Sequence, residues 1–166
     1  HAGTLVRDET ISIEDERGNV WTPKNYDEKE LGIVRLESVI ANSINQATVH
    51  LALGLGLNRI LDRLDDLGIP VGPTRPPATL LGVSEMSPYR VAQRYQVLLN
   101  QGHQAPLKAV RTVVDNAGSV LTRRPFQSTR LMTARAAVQV DHMMRVGAKM
   151  GTGRAFGQRY TEVMAS

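Results

Sequence analysis

The most regular hydrophobic pattern begins at Leu36, where apolar residues recur at positions 36, 40, 44, 47 and 51. This spacing puts the five side chains on one helical face, turned toward a core. Gly54 and Gly56 interrupt the stripe, and a second helix is predicted from about Leu57 to Leu67, stopped by Gly68 and then Pro70. Residues 68–79 hold four prolines and two glycines, which predicts an extended, irregular connection. Ser87-Pro88 marks the next helix start, because Ser accepts an orphan N–H and Pro lacks one where none is needed. That helix is expected to reach about Gln101, with Gly102 at its end. Thr133 caps a last long helix, which carries Ala137, Val140, Met143 and Met144 inward and fades between Gly147 and Met150.

Two stretches alternate instead. In residues 10–22, Ile11 and Ile13 alternate with polar neighbours, Arg17-Gly18-Asn19 supplies a turn and Val20-Trp21 starts the return strand. Residues 107–122 read as a second hairpin, Leu107 to Val114 and Ser119 to Leu121, around Asp115-Asn116-Ala117-Gly118. There is no internal repeat and no low-complexity segment. The outline is a helix-rich α+β arrangement with small β-hairpins, most of its central sheet expected outside this chain.

Composition narrows the classes. At 166 residues, 42% hydrophobic and 22% charged, the chain suits one soluble core. No apolar run approaches the roughly 20 residues that cross a bilayer. The start, His1-Ala2-Gly3-Thr4, has no initiator Met and no signal-peptide pattern, so the true start of the gene product is expected upstream. A net charge of +4 is modest, the basic residues are scattered with Arg123-Arg124 their one adjacent pair, and seven aromatics offer little stacking surface. No nucleic-acid partner is expected. With no Cys there is no disulfide and no thiolate chemistry. His1, His50, His103 and His142 make no ligand spacing, so neither metal nor other cofactor is predicted. Gly54-Leu55-Gly56 lacks the third glycine of a dinucleotide turn and follows a helix, which fits a helix ending. Met143-Met144 fits core filling.

One tripeptide sets a physical condition. Ser43 and Asn45 flank Ile44 inside the strongest helical pattern. In a continuous helix, residues two apart point about 200° away from each other, so the hydroxyl and the amide could not serve one site. If the chain turns between two short helices at residues 42–46, Ile44 enters the core and both polar side chains face a cleft. Without further context the pattern reads as a helix with two polar side chains, since S-x-N often occurs by chance.

Context comes from ordered motifs along the chain. Gly18-Asn19-Val20-Trp21-Thr22-Pro23-Lys24-Asn25-Tyr26-Asp27 is similar to a W-x-P-x-N-x-D loop, and the segment from Val39 to Val49 to an S-x-N element with its flanking helices. Leu80-Leu81-Gly82, Met86-Ser87-Pro88, Val91-Ala92, Gln101-Gly102, Ala105-Pro106-Leu107 and Gly151-Thr152-Gly153-Arg154 continue the series. From Ile11 onward the chain resembles the transpeptidase domain of bifunctional class A penicillin-binding proteins, most closely the 1B type. The implied architecture is the middle section of the penicillin-binding transpeptidase and serine β-lactamase-like fold.

These enzymes use S-x-x-K, S-x-N and K-T-G elements. No Ser here has Lys three positions on, and no K-T-G or K-S-G occurs. Residues 1–166 are thus expected to be an internal fragment of one transpeptidase domain. The nucleophile motif would lie upstream of residue 1 and the Lys-Thr-Gly strand downstream of residue 166, with Val163-Met164-Ala165 leading into it. The resemblance implies a peptidoglycan D,D-transpeptidase working through a serine acyl-enzyme, with Ser43 and Asn45 catalytic and Gly151, Thr152 and Gly153 binding substrate. Implied partners are stem peptides, the lipid-linked precursor, covalently bound β-lactams, and periplasmic or outer-membrane regulators. A glycosyltransferase domain and a transmembrane anchor would lie upstream, placing the protein on the periplasmic face of the bacterial inner membrane. The fragment alone is predicted inactive. The competing reading is a non-catalytic binding module, either a degenerate transpeptidase-like domain kept for protein contacts or a small basic helical binder.

Overall fold

Where the sequence shows one apolar stripe, the chain forms two helices, α1 (Leu36–Asn42) and α2 (Asn45–Leu55). The computed structural model describes residues 1–14 and 18–159. They form two units, residues 1–86 with the chain from residue 139 onward, and residues 87–138.

In the first unit, β1 (Leu5–Asp8) pairs antiparallel with β4 (Gly32–Arg35), Val6 opposite Val34. Val6, Val39, Ile44 and Ala47 form a buried cluster, with Val34, Leu36 and Leu51 packed against it. Val39 therefore takes the inward place that the periodicity assigns to Ile40, which is exposed. A helix of only seven residues, rotated by its own junction with β4, does not keep phase with α2 across the break. The expected first hairpin forms from β2 (Ile13–Glu14) and β3 (Val20–Trp21), with Ile13 opposite Trp21. Ile11 precedes the strand, and Arg17 of the expected turn lies outside the described residues.

α2 continues through Gly54, and the bend falls at Gly56, whose φ of 94° suits glycine. α3 (Leu57–Asp66) follows and buries Leu61. Gly68 closes its end by donating to the Asp65 carbonyl. The proline-rich connection is irregular but not extended throughout, since it turns at residues 73–74 and then winds into one short 3₁₀ turn, Pro77–Leu81.

In the second unit, α4 (Pro88–Leu99) begins as expected, with Ser87 Oγ accepting the Arg90 N–H. It ends two residues before Gln101, and Gly102, at φ 92°, turns the chain. A Cβ on Gly102 would lie 2.1 Å from the Met132 carbonyl oxygen. That close approach lets the Gly102 carbonyl accept from Leu131 N–H at 2.8 Å, beside the pairing of β5 (His103–Gln104) with β8 (Thr129–Arg130). The second hairpin is shorter than expected on its first side, because β6 (Thr112–Val114) starts five residues after Leu107. It pairs with β7 (Val120–Arg123), and Asp115 Oδ1 accepts the N–H groups of Ala117 and Ser119 across the turn.

The boundary between the units falls within α5 (Ala134–Met150), where Thr133 Oγ1 accepts the Ala136 N–H. Ala137 and Met143 are buried, Val140 and Met144 half-buried. Rather than fading, α5 stays regular to Met150, and α6 (Arg154–Arg159) turns back after it. A Cβ on Gly157 would sit 2.0 Å from the Ala148 carbonyl oxygen, so α6 lies hard against the end of α5. Strands pair only in twos among the described residues. Val163-Met164-Ala165 lies outside them.

Candidate active site

The chain breaks between α1 and α2 where Ser43 and Asn45 require it, and Ile44 enters the core. Ser43 adopts a left-handed conformation, φ 54° and ψ 48°, and Ile44 is extended. Ser43 N–H donates to the Ile40 carbonyl at 3.4 Å, and Ile44 N–H to the Val39 carbonyl at 3.0 Å. This pair of bonds is a Schellman closure, normally made with glycine where Ser43 stands. Its accompanying apolar contact joins Ile44 to Val39 within the core cluster. The closure therefore drives Ile44 inward and leaves Ser43 exposed and Asn45 half-buried on either side of it.

One carbonyl at the end of α1 needs a partner from elsewhere. The Ala41 carbonyl accepts from Thr152 N–H at 3.0 Å. Gly151 makes this possible, because a Cβ there would lie 1.8 Å from the same oxygen. The Thr152 side chain then reaches Ser43, Oγ1 to Oγ at 3.2 Å. Gly153 is held more loosely, a Cβ there standing 3.3 Å from the Gly147 carbonyl.

The start of α2 has a mirror-image problem. Ile44 precedes the helix and has no side chain to cap it. Asn25 supplies the missing acceptor, its Oδ1 taking the Gln46 N–H at 3.1 Å. Its NH₂ group meets Asp8 Oδ1 at 2.9 Å, Asp8 Oδ2 at 3.1 Å, the Lys29 carbonyl at 2.8 Å and Gln46 Oε1 at 3.0 Å. Two N–H groups shared over four acceptors pin the amide firmly. Asp8, fully buried, also accepts from Leu31 N–H at 2.9 Å, so its buried carboxyl is satisfied as burial demands. The same loop reaches Asn45, whose Nδ2 donates to the Lys24 carbonyl at 2.8 Å. That uses one of the two N–H groups of Asn45.

Ser43 and Thr152 thus meet although 109 residues separate them, while Asn45 is held by the loop that carries Asn25. Neither hydroxyl has a base beside it among the described residues. The arrangement can orient and pass protons but cannot by itself activate a nucleophile. His142 pairs with Glu37 at 3.0 Å and His50 with the Glu9 carbonyl at 3.2 Å. Among the described residues no three metal-ligating side chains gather. Sequence reasoning assigned no role to Asp8, Asn25 or Gln46. Their one signal is Asn25 inside the Trp21-Thr22-Pro23-Lys24-Asn25-Tyr26-Asp27 loop.

Comparison with known proteins identifies the family. The family described as "Penicillin binding protein transpeptidase domain" matches residues 1–164. Penicillin-binding protein 1B of Vibrio cholerae is 36% identical over 159 residues, which is 95% of this chain and 20% of that protein. The chain therefore spans about a fifth of that relative's length. Among solved structures, penicillin-binding protein 1A from Haemophilus influenzae superposes with a TM-score of 0.82 at 17% identity, covering 92% of this chain and 28% of its own. Penicillin-binding protein A from Mycobacterium tuberculosis, solved as its penicillin G acyl-enzyme complex, gives 0.74 at 16% identity over 90% of this chain and 39% of its own. The chain belongs to the penicillin-binding protein transpeptidase domain family and has its fold.

Proposed function

We propose that this chain is an internal section of one serine D,D-transpeptidase domain that cross-links peptidoglycan, and that it supplies Ser43 and Asn45 to the active site. The observation that carries this reading is the break after α1. It buries Ile44 and leaves Ser43 exposed and Asn45 half-buried in a chain matched to the family over residues 1–164.

The nucleophile motif lies ahead of residue 1 and the Lys-Thr-Gly strand beyond residue 166. The nucleophilic serine oxygen bonds to the carbonyl carbon between the two terminal D-Ala residues of a stem peptide. The C–N bond breaks, and the terminal D-Ala leaves with a proton on its amine. An amine of a neighbouring stem peptide then attacks the ester, and the serine regains its proton. A serine hydroxyl is too weakly acidic to react unaided. Ser43, donor and acceptor at once, passes protons between the lysine of the first motif, the nucleophile and the departing amine. Asn45 receives the lysine ammonium on Oδ1 and offers its free N–H to the substrate backbone. Thr152, held between Gly151 and Gly153, meets Ser43 along the path of the substrate.

The full-length protein carries a glycosyltransferase domain that acts on lipid-linked precursor. It is held at the periplasmic face of the inner membrane by an upstream helix and is open to periplasmic or outer-membrane regulators. The 36% identity to a penicillin-binding protein 1B supports that setting, and the acyl-enzyme form of a structural neighbour supports the covalent step. Without its nucleophile, the 166-residue chain alone is inactive. The test is incubation of the full-length protein with fluorescent penicillin. A denaturation-resistant adduct on one serine is expected, and a folded protein that takes no label would overturn the reading.

A further inference from the structure

We infer that Thr152 is a positioning residue for Ser43, acting on the reaction through the Ser43 hydroxyl instead of through the substrate. The inference rests on the reading of Ser43 as the proton-passing group. Its starting point is how fully the polar groups of Thr152 are used within this chain. The N–H is given to the Ala41 carbonyl at 3.0 Å, and Oγ1 stands 3.2 Å from Ser43 Oγ and 3.5 Å from the same carbonyl. Its N–H and its hydroxyl are both engaged within the chain.

Ser43 needs such a partner. It is exposed, and an exposed serine hydroxyl spreads over three staggered wells and rotates freely about its C–O bond. A proton relay works only from the well that faces the reacting atoms. Thr152 is suited to select that well. Its β-branched side chain is stiff at χ1, and its backbone is fixed on the end of α1. Because either hydroxyl can donate, the contact survives both stages of a relay. Thr152 accepts while Ser43 holds its proton toward it, and donates while the Ser43 proton points into the site. No proton is gained or lost by the pair.

Gly151 belongs to the same device, since only a residue without Cβ lets Thr152 reach the Ala41 carbonyl. The Ser43 turn is thereby held from two sides, by its own Schellman bonds and by a strap 109 residues later.

The test is the second-order rate constant for acylation of the full-length protein by fluorescent penicillin, in wild type, Thr152→Val, Thr152→Ser, Ser43→Ala and the Ser43→Ala/Thr152→Val double variant. Valine keeps the shape and removes the hydroxyl. Loss of one neutral hydrogen bond predicts an acylation rate about three- to tenfold lower for Thr152→Val, with the domain still folded. Serine should restore the rate, and valine should cost nothing further once Ser43 is alanine. Equal loss in both backgrounds would overturn the inference, as would a wild-type rate in Thr152→Val. If the wild-type protein takes no label at all, the underlying transpeptidase reading falls instead.

Discussion

The side-chain oxygens of Ser43 and Thr152 lie 3.2 Å apart, and the backbone of Thr152 holds the Ala41 carbonyl two residues before Ser43. The position of the Ser43 hydroxyl is therefore a property of two distant segments, and substitutions in either should be felt at the other.

Gly151→Ala tests that dependence. Its new Cβ would fall 1.8 Å from the Ala41 oxygen, so the turn must withdraw and the Thr152 N–H must lose its acceptor. A destabilisation of about 1–3 kcal/mol is expected, seen as a lower thermal midpoint of the domain together with slower penicillin labelling. Gly54→Ala is the contrast. Beyond its own helix backbone nothing lies within 4 Å of its added Cβ inside α2, and stability should hold or rise by up to about 0.5–1 kcal/mol, with the midpoint unchanged or higher.

Ser43→Gly and Ser43→Ala separate backbone from chemistry. A non-glycine residue in the left-handed region costs roughly 1–2 kcal/mol, and the greater unfolded freedom of glycine returns roughly 0.4–1 kcal/mol of that. Ser43→Gly should therefore be the more stable of the two by up to about 1.6 kcal/mol in denaturant unfolding. Both should lose acylation equally, since neither keeps the hydroxyl. Rapid labelling of Ser43→Gly would remove the hydroxyl from the mechanism.

Asn25→Ala should be among the most damaging changes in the first unit. It strips the Gln46 N–H of its acceptor and leaves the buried Asp8 with the Leu31 N–H as its remaining partner. Unsatisfied buried groups predict a loss of about 2–3 kcal/mol in unfolding free energy. Asn25→Asp should be no better, because it removes the donors and sets a second carboxyl group against Asp8. A loss under about 0.5 kcal/mol in Asn25→Ala would show that the α2 start needs no outside cap.

The helices were legible because local rules govern them. The 36, 40, 44, 47, 51 stripe, the Ser87-Pro88 start and the Thr133 cap all lie within a few residues of what they control. Strands β1 and β4 were not read, since Asp8 occupies an inward position that an apolar residue would have made visible as alternation. Ile40 was misplaced because the stripe counts straight through a break that restarts the phase. At the site, the need for a break at residues 42–46 followed from helix geometry alone, whereas the bonds that brace it from outside α1 and α2 come from 21 to 111 residues away. Pairings over such distances leave no periodic trace, and for Asn25 only the family motif pointed to the loop.

The most direct measurement is the second-order acylation rate constant of the full-length protein with fluorescent penicillin, compared among wild type, Ser43→Ala and Asn45→Ala. Removing a positioned proton-transfer group predicts a fall of about 10²–10⁴-fold for Ser43→Ala. Asn45→Ala should also be slowed, with both variants still folded. Labelling of either variant at the wild-type rate would contradict the assignment of these two side chains to the active site.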